Sequence, residues 1–195
     1  MKRHYFDYAA ATPVAPEVER AMKPYWSKVY GNPGALHWFG QEASAAVFKA
    51  RDMIAKSLGC NYREVIFTGS ATEANNLALR GIVKAARTVG IKNPKIITSA
   101  IEHDSVLDTA RDLEKEGVEV VYLPVSKNGI VDLKKLKEEL NERTVLVSVM
   151  YANNEVGTIQ PISKISEIVR NFREVKSQKS KVKGLAAAYP LLHTD

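Results

Sequence analysis

The run Phe67-Thr68-Gly69-Ser70-Ala71-Thr72-Glu73-Ala74-Asn75-Asn76 holds the residues best suited to grip an anion. Before it, Glu64-Val65-Ile66-Phe67 is short, apolar and β-branched, which predicts a buried strand over 64–68. After it, Leu77, Leu79, Ile82, Val83 and Ala86 keep a helical spacing as far as Gly90, which predicts a helix over 72–88. A strand–turn–helix of this kind aims unpaired backbone N–H groups and the positive end of a helix dipole at one point. That suits a phosphate, and the dipole contributes about 0.3–1 kcal/mol at an exposed site. Gly69 and Ser70 let the backbone come close, and the Thr72 hydroxyl adds a donor. A plainly capped helix uses the same small residues, so the turn alone leaves both readings open. The chain has no Gly-x-x-x-x-Gly-Lys-Ser/Thr, and its first turn lacks Gly-x-Gly-x-x-Gly, which disfavours ATP and dinucleotides.

Further polar residues recur at or just after the ends of later strands. Lys95-Ile96-Ile97-Thr98 is followed by Glu102-His103, and Val145 to Met150 by Asn153-Asn154-Glu155-Val156-Gly157-Thr158-Ile159-Gln160-Pro161. Leu191-Leu192-His193-Thr194-Asp195 reads as one more strand bearing an acid. Ligands of open α/β sheets bind outside the carboxyl ends of the strands, so these groups are expected to converge on one crevice.

The elements that must position them follow from periodicity. Helices are predicted over 16–28, with Pro16 in the first turn, and over 41–58, with Ala43, Ala46, Val47, Ala50, Ile54 and Leu58 on the apolar face. Strands near 64–68, 95–98, 118–123, 144–150 and 191–195 alternate with helices near 72–88, 104–116, 132–141 and 162–173. That alternation predicts an α/β domain whose mostly parallel sheet is covered on both faces. The segment 173–188 replaces periodicity with charge and small residues, and reads as the least ordered stretch.

Composition fits a soluble, cytoplasmic protein. Apolar residues make up 45% and charged residues 26% of 195 residues, enough to bury a core and too apolar for disorder. The net charge of +6 includes Lys176, Lys179, Lys181 and Lys183, with no aromatic residues between them, so a solvated connection is favoured over a nucleic-acid arm. One cysteine excludes a disulfide framework and a Cys-rich metal site; no metal is expected. No signal peptide and no apolar run near 18 residues is visible, so neither export nor membrane insertion is indicated.

Six motifs occur together: Asp7-Tyr8-Ala9-Ala10-Ala11-Thr12-Pro13, Gly31-Asn32-Pro33, Ala71-Thr72-Glu73-Ala74-Asn75-Asn76, Glu102-His103, Asn153-Asn154-Glu155-Val156-Gly157 and His193-Thr194-Asp195. In order and spacing they resemble the N-terminal half of a cysteine desulfurase, a pyridoxal-phosphate enzyme of the class V aminotransferase group. The likeness runs from about Tyr5 to Asp195. Two departures are visible: the turn reads Gly69-Ser70 where the family usually reads Ser-Gly, and Glu174 to Pro190 is longer and more basic than the family's connection.

The resemblance implies a fold type I, transferase-like large domain over 61–195, incomplete on its C-terminal side, with 174–190 a basic linker or insertion. Residues 1–15 and part of 16–60 would form an arm and helices of the small domain or interface. It implies pyridoxal 5'-phosphate as cofactor, conversion of L-cysteine to L-alanine, and sulfane sulfur for iron–sulfur cluster or thio-cofactor assembly. A sulfur-acceptor or scaffold protein, and a homodimer or a complementing C-terminal half, are the implied partners. Ala71 and Thr72 would hold the phosphate, and His103 would stack on the pyridine and move protons. Asn154 would approach the phenolic oxygen and the substrate carboxylate, and Asp195 would keep the ring nitrogen protonated.

Each residue has a plainer reading: His103 a solvated histidine at a helix start, Asn154 a loop cap, Asp195 a surface acid. Cys60, after Leu58-Gly59, reads as a small buried or half-buried thiol, and Glu73 as a helix-terminus acid. The family's Schiff-base lysine, nucleophilic cysteine and substrate arginine lie beyond the position of Asp195. The isolated chain is therefore expected to hold the cofactor non-covalently at best and to be inactive alone. The alternatives are a fragment that only binds partner chains, or a related class V aminotransferase or selenocysteine lyase. In the family's strand order, 64–68 would lack a pairing partner here.

Overall fold

The computed structural model describes residues 3–179 and 188–195, the side chains of 177–179 excepted. The chain divides into two units, Met1–Phe67 and Thr68–Asp195.

In the first unit, helices α1 (Pro16–Met22) and α2 (Pro24–Ser27) replace the single helix expected over 16–28. Pro24 has no N–H to continue α1 and its ring collides with the preceding turn, so the chain breaks and restarts there. Helix α3 (Trp38–Leu58) begins three residues before the expected 41, because His37 caps it by accepting from Gly40 N at 3.4 Å. Gly59 ends it at φ 66°. Cys60 follows, half-buried, as expected.

The strand expected over 64–68 is absent. Tyr62–Glu64 forms a 3₁₀ turn closed by a capping box, in which Asn61 Oδ1 accepts from Arg63 N and Glu64 Oε2 accepts from Asn61 N at 2.7 Å. Beyond it the backbone pairs with no strand of the described residues, and Ile66 is 69% exposed. A strand pattern without a neighbouring edge satisfies no backbone groups, so the pattern alone makes no strand.

The second unit is an α/β layer structure. Helix α4 (Ala71–Thr88) leads into β1 (Lys95–Ser99), α5 (Asp104–Lys115), β2 (Glu119–Leu123), α6 (Leu133–Glu139), β3 (Thr144–Ser148), α7 (Ile162–Lys179) and β4 (Leu191–His193). The four strands are parallel in the order β2-β1-β3-β4. Leu79, Val83 and Ala86 of α4 and Val106 and Leu113 of α5 bury Ile96 and Leu146 on one face. Leu136 of α6 and Ile165 and Val169 of α7 bury Ile97 and Val147 on the other. β2 lies on one side of β1 and β3 on the other, which puts the switch point of the sheet at the carboxyl ends of β1 and β3. Helix α7 runs to Lys179, so the basic linker expected over 174–190 starts as helix. Of the remainder, 180–187 lies outside the described residues.

Candidate functional site

Helix α4 starts as the sequence requires. Ser70 Oγ accepts from Glu73 N at 3.1 Å, and Glu73 Oε2 accepts from Gly69 N at 2.7 Å. Glu73 therefore serves the helix terminus. The N–H groups of Ala71 and Thr72 have no partner among the described residues, and both residues are exposed.

After β1 and β3 the chain is stitched together by buried polar groups. Glu102, only 5% exposed, accepts through Oε1 from Ser99 Oγ and, at 2.9 Å, from Met150 N. Its Oε2 is buried with no partner among the described residues. Burial pushes this carboxyl from 4.5 up to about 7; the Ser99 and Met150 bonds oppose the shift, and the Asp195 charge adds to it. Asn153 makes a second stitch. Its Nδ2 donates to Ile101 O at 3.1 Å, and its Oδ1 accepts from Glu155 N at 3.0 Å and Val156 N at 2.9 Å. Asn154, one residue on, is exposed, and its side chain bonds to no described residue.

His103 caps α5, with Nδ1 accepting from Ser105 N at 3.1 Å and lying 2.9 Å from Ser105 Oγ. Ser105 Oγ accepts in turn from Asn75 Nδ2 at 2.8 Å, so α4 is tied to the His103 ring. On β4, His193 Nδ1 lies 2.8 Å from Ser148 Oγ. Burial pushes the His193 imidazole down from its ordinary value, and the Asp195 charge opposes that. The Asp195 backbone oxygen accepts from Tyr151 N at 3.3 Å.

His103 and Asn154 line one cleft of about 700 Å³, with Glu102, Asn153 and the loop 125–129. Ala71, Thr72 and Asp195 do not line it. The cleft's lip is held by buried Gln160, which accepts from Val131 N at 3.1 Å and donates to Gly129 O at 2.6 Å. Thr158 Oγ1 adds a bond to Asn128 O at 2.9 Å. The sequence offered Gln160 and Asn75 only as members of longer runs, with no role of their own, and singled out neither Ser105 nor Ser148.

A parallel sheet with helices on both faces, polar groups gathered at its carboxyl edge and an open helix N-terminus define a ligand-binding α/β domain. A family model, aminotransferase class-V, matches residues 4–176. The chain belongs to this pyridoxal-phosphate-dependent family. Cysteine desulfurase IscS of Dictyoglomus turgidum is 47% identical over 173 residues, 88% of this chain and 43% of that protein. Cysteine desulfurase IscS of Rickettsia bellii is 51% identical over 167 residues, 85% of this chain and 40% of that protein. Among solved structures, a NifS-like protein matches with TM-score 0.87 and 37% identity, covering 100% of this chain and 49% of that one. SspA, solved in complex with cysteine, matches with TM-score 0.78 and 39% identity, covering 84% and 46%. The chain thus spans about two-fifths of the length of the curated relatives it matches.

Proposed function

We propose that this chain is the cofactor-binding portion of a cysteine desulfurase acting on L-cysteine. The observation that carries the reading is the hydrogen-bonded path from the first turns of α4 through Asn75 and Ser105 to His103, which joins the expected phosphate and ring positions. The residues present fit pyridoxal 5'-phosphate. The free N–H groups of Ala71 and Thr72 would take its phosphate, and the Thr72 hydroxyl would add a donor. His103 would lie against the ring, and the unengaged amide of Asn154 would take the phenolic oxygen and the substrate carboxylate. Asp195, whose charge is felt at Glu102 and His193, would face the ring nitrogen. The bound cofactor supplies an electron sink for the substrate's Cα. The protein's own part is to orient that ring, hold a proton at His103 and keep a carboxylate opposite the nitrogen.

The SspA neighbour solved with cysteine favours cysteine as substrate. The sulfur would pass to an acceptor or scaffold protein, in iron–sulfur cluster or thio-cofactor assembly. Phe6, Leu36 and Leu58, exposed by 91%, 91% and 71%, support assembly of the first unit with another chain, as a homodimer or with a complementing C-terminal half.

Titration with pyridoxal 5'-phosphate, followed by the ligand's absorbance, tests the reading. Saturable binding is expected, competed by inorganic phosphate and weakened roughly tenfold by His103→Ala, about the worth of one good ring contact. An unsaturable response, or one indifferent to phosphate, would overturn it.

A further inference from the structure

We infer that Ser105 and Asn75 are positioning residues that fix His103 in one tautomer, with Nδ1 engaged as an acceptor and Nε2–H left as the ring's free donor. The argument is one of donors and acceptors. A backbone N–H only donates, so Ser105 N at 3.1 Å makes His103 Nδ1 an acceptor. The Ser105 hydroxyl has a single proton. Its oxygen takes the Asn75 amide N–H at 2.8 Å, which leaves that proton for Nδ1 at 2.9 Å. Two donors therefore meet one ring nitrogen, and the ring proton must sit on the other.

Burial makes the arrangement hold. Asn75 is 3% and Ser105 8% exposed, so water does not compete for the hydroxyl. Asn75 stands one turn into α4, the helix whose open N-terminus bears Ala71 and Thr72. The same helix thus presents the anion-binding N–H groups and orients the imidazole. What the Nε2–H meets in the cleft rests on the reading of a pyridoxal-phosphate site; the tautomer does not.

The test is a two-bond proton–nitrogen correlation spectrum of the full chain, labelled at histidine nitrogens, without cofactor and at a pH where imidazole is neutral. His103 is expected predominantly as Nε2–H, with a measurable minor Nδ1–H form. Removing the hydroxyl with Ser105→Ala deletes one hydrogen bond and should move the tautomer ratio roughly 2- to 12-fold toward Nδ1–H. Asn75→Asp, the same shape without a donor, draws the hydroxyl proton to itself and should move the ratio the same way. Ser105→Thr restores it, and His4, His37 and His193 serve as internal references. Should Ser105→Ala fail to fold, Asn75→Asp decides. An Nδ1–H wild type, or a ratio unmoved by both variants, would overturn the inference. Cofactor titration is read separately: the tautomer result with no cofactor binding supports the positioning role and removes the proposed function.

Discussion

The two ends of the one parallel sheet treat their charges in opposite ways. At the amino end, Lys95, with 3% of its side chain exposed, sits 3.2 Å from Glu119 and 2.7 Å from Glu139. Each carboxylate has a second cation, Arg143 at 2.6 Å from Glu119 and Lys135 at 2.8 Å from Glu139. At the carboxyl end, Thr98 Oγ1 and Glu102 Oε2 are buried without a partner among the described residues, and His193 is desolvated. Native interiors rarely leave polar atoms unmatched. An edge where all the charges pair is there to hold the sheet, whereas an edge that keeps polar groups in reserve at a switch point is where a ligand is met.

The largest expected effect lies at the reserved end. Glu102 has a folded pKa of about 7 against an ordinary 4.5, so the fold favours its protonated form. That contribution is complete below about 4.5 and is lost as pH rises through 7, a swing of up to roughly 3 kcal/mol. His193 runs the other way: its depressed value gives stability that is present above the ordinary 6.5 and lost as pH falls. The clean measurement is therefore a difference. Urea unfolding of wild type and Glu102→Gln across this range should show the wild type losing its advantage as pH rises. A pH-independent difference would mean that Glu102 titrates in the folded chain as it does in the unfolded one, and the contrast between the ends would collapse.

The paired end gives the next largest effect. Lys95→Ala leaves Glu119 and Glu139 with one cation each, so the loss should fall short of the 3–5 kcal/mol typical of breaking a buried pair, at about 2 kcal/mol. Hydrogen exchange should quicken across β1, β2 and β3 together, while the tautomer of His103 stays as it is. An effect confined to the carboxyl-end loops would show that the two ends are not separate.

The sheet itself was legible because its strands are local, β-branched runs: Lys95 to Ser99 and Thr144 to Ser148 were read to within two residues of their ends. Three failures have distinct causes. Val65 to Thr68 has the composition of a strand, but pairing is a non-local property and among the described residues no strand pairs with it. The helix expected over 16–28 crosses Pro24, whose missing N–H and ring end one helix and start another. In α7, Arg173 to Lys179 lacks glycine and proline and is built mainly of good helix formers, so charge mistaken for disorder hid a helix. At the site, His103 and Asn154 came from motifs and share a cleft. The hydrogen-bonded pairings around them were not legible, because the Asn75–Ser105 and Ser148–His193 partners lie 30 and 45 residues apart.

The smallest effect should be the most local. Gly129, at φ 74°, turns the lip of the cleft, and a Cβ there would meet Thr158 Oγ1 at 2.9 Å and Thr158 Cβ at 3.3 Å. Gly129→Ala thus incurs a left-handed backbone penalty of about 1–2 kcal/mol and displaces the hydroxyl that donates to Asn128 O. Adding Thr158→Ala removes the 2.9 Å collision but neither the tighter-than-usual Cβ contact nor the backbone penalty, so the double variant should be more stable than the sum of the single losses. Exchange should quicken at Val131 N, which Gln160 Oε1 holds at 3.1 Å, and stay unchanged at β1 and β3. That pattern would show the cleft wall as a separately anchored part, able to loosen without the paired edge yielding. Strict additivity in the double variant would show that the Thr158 contact carries none of the cost, and exchange spreading into β1 would tie the lip to the sheet after all.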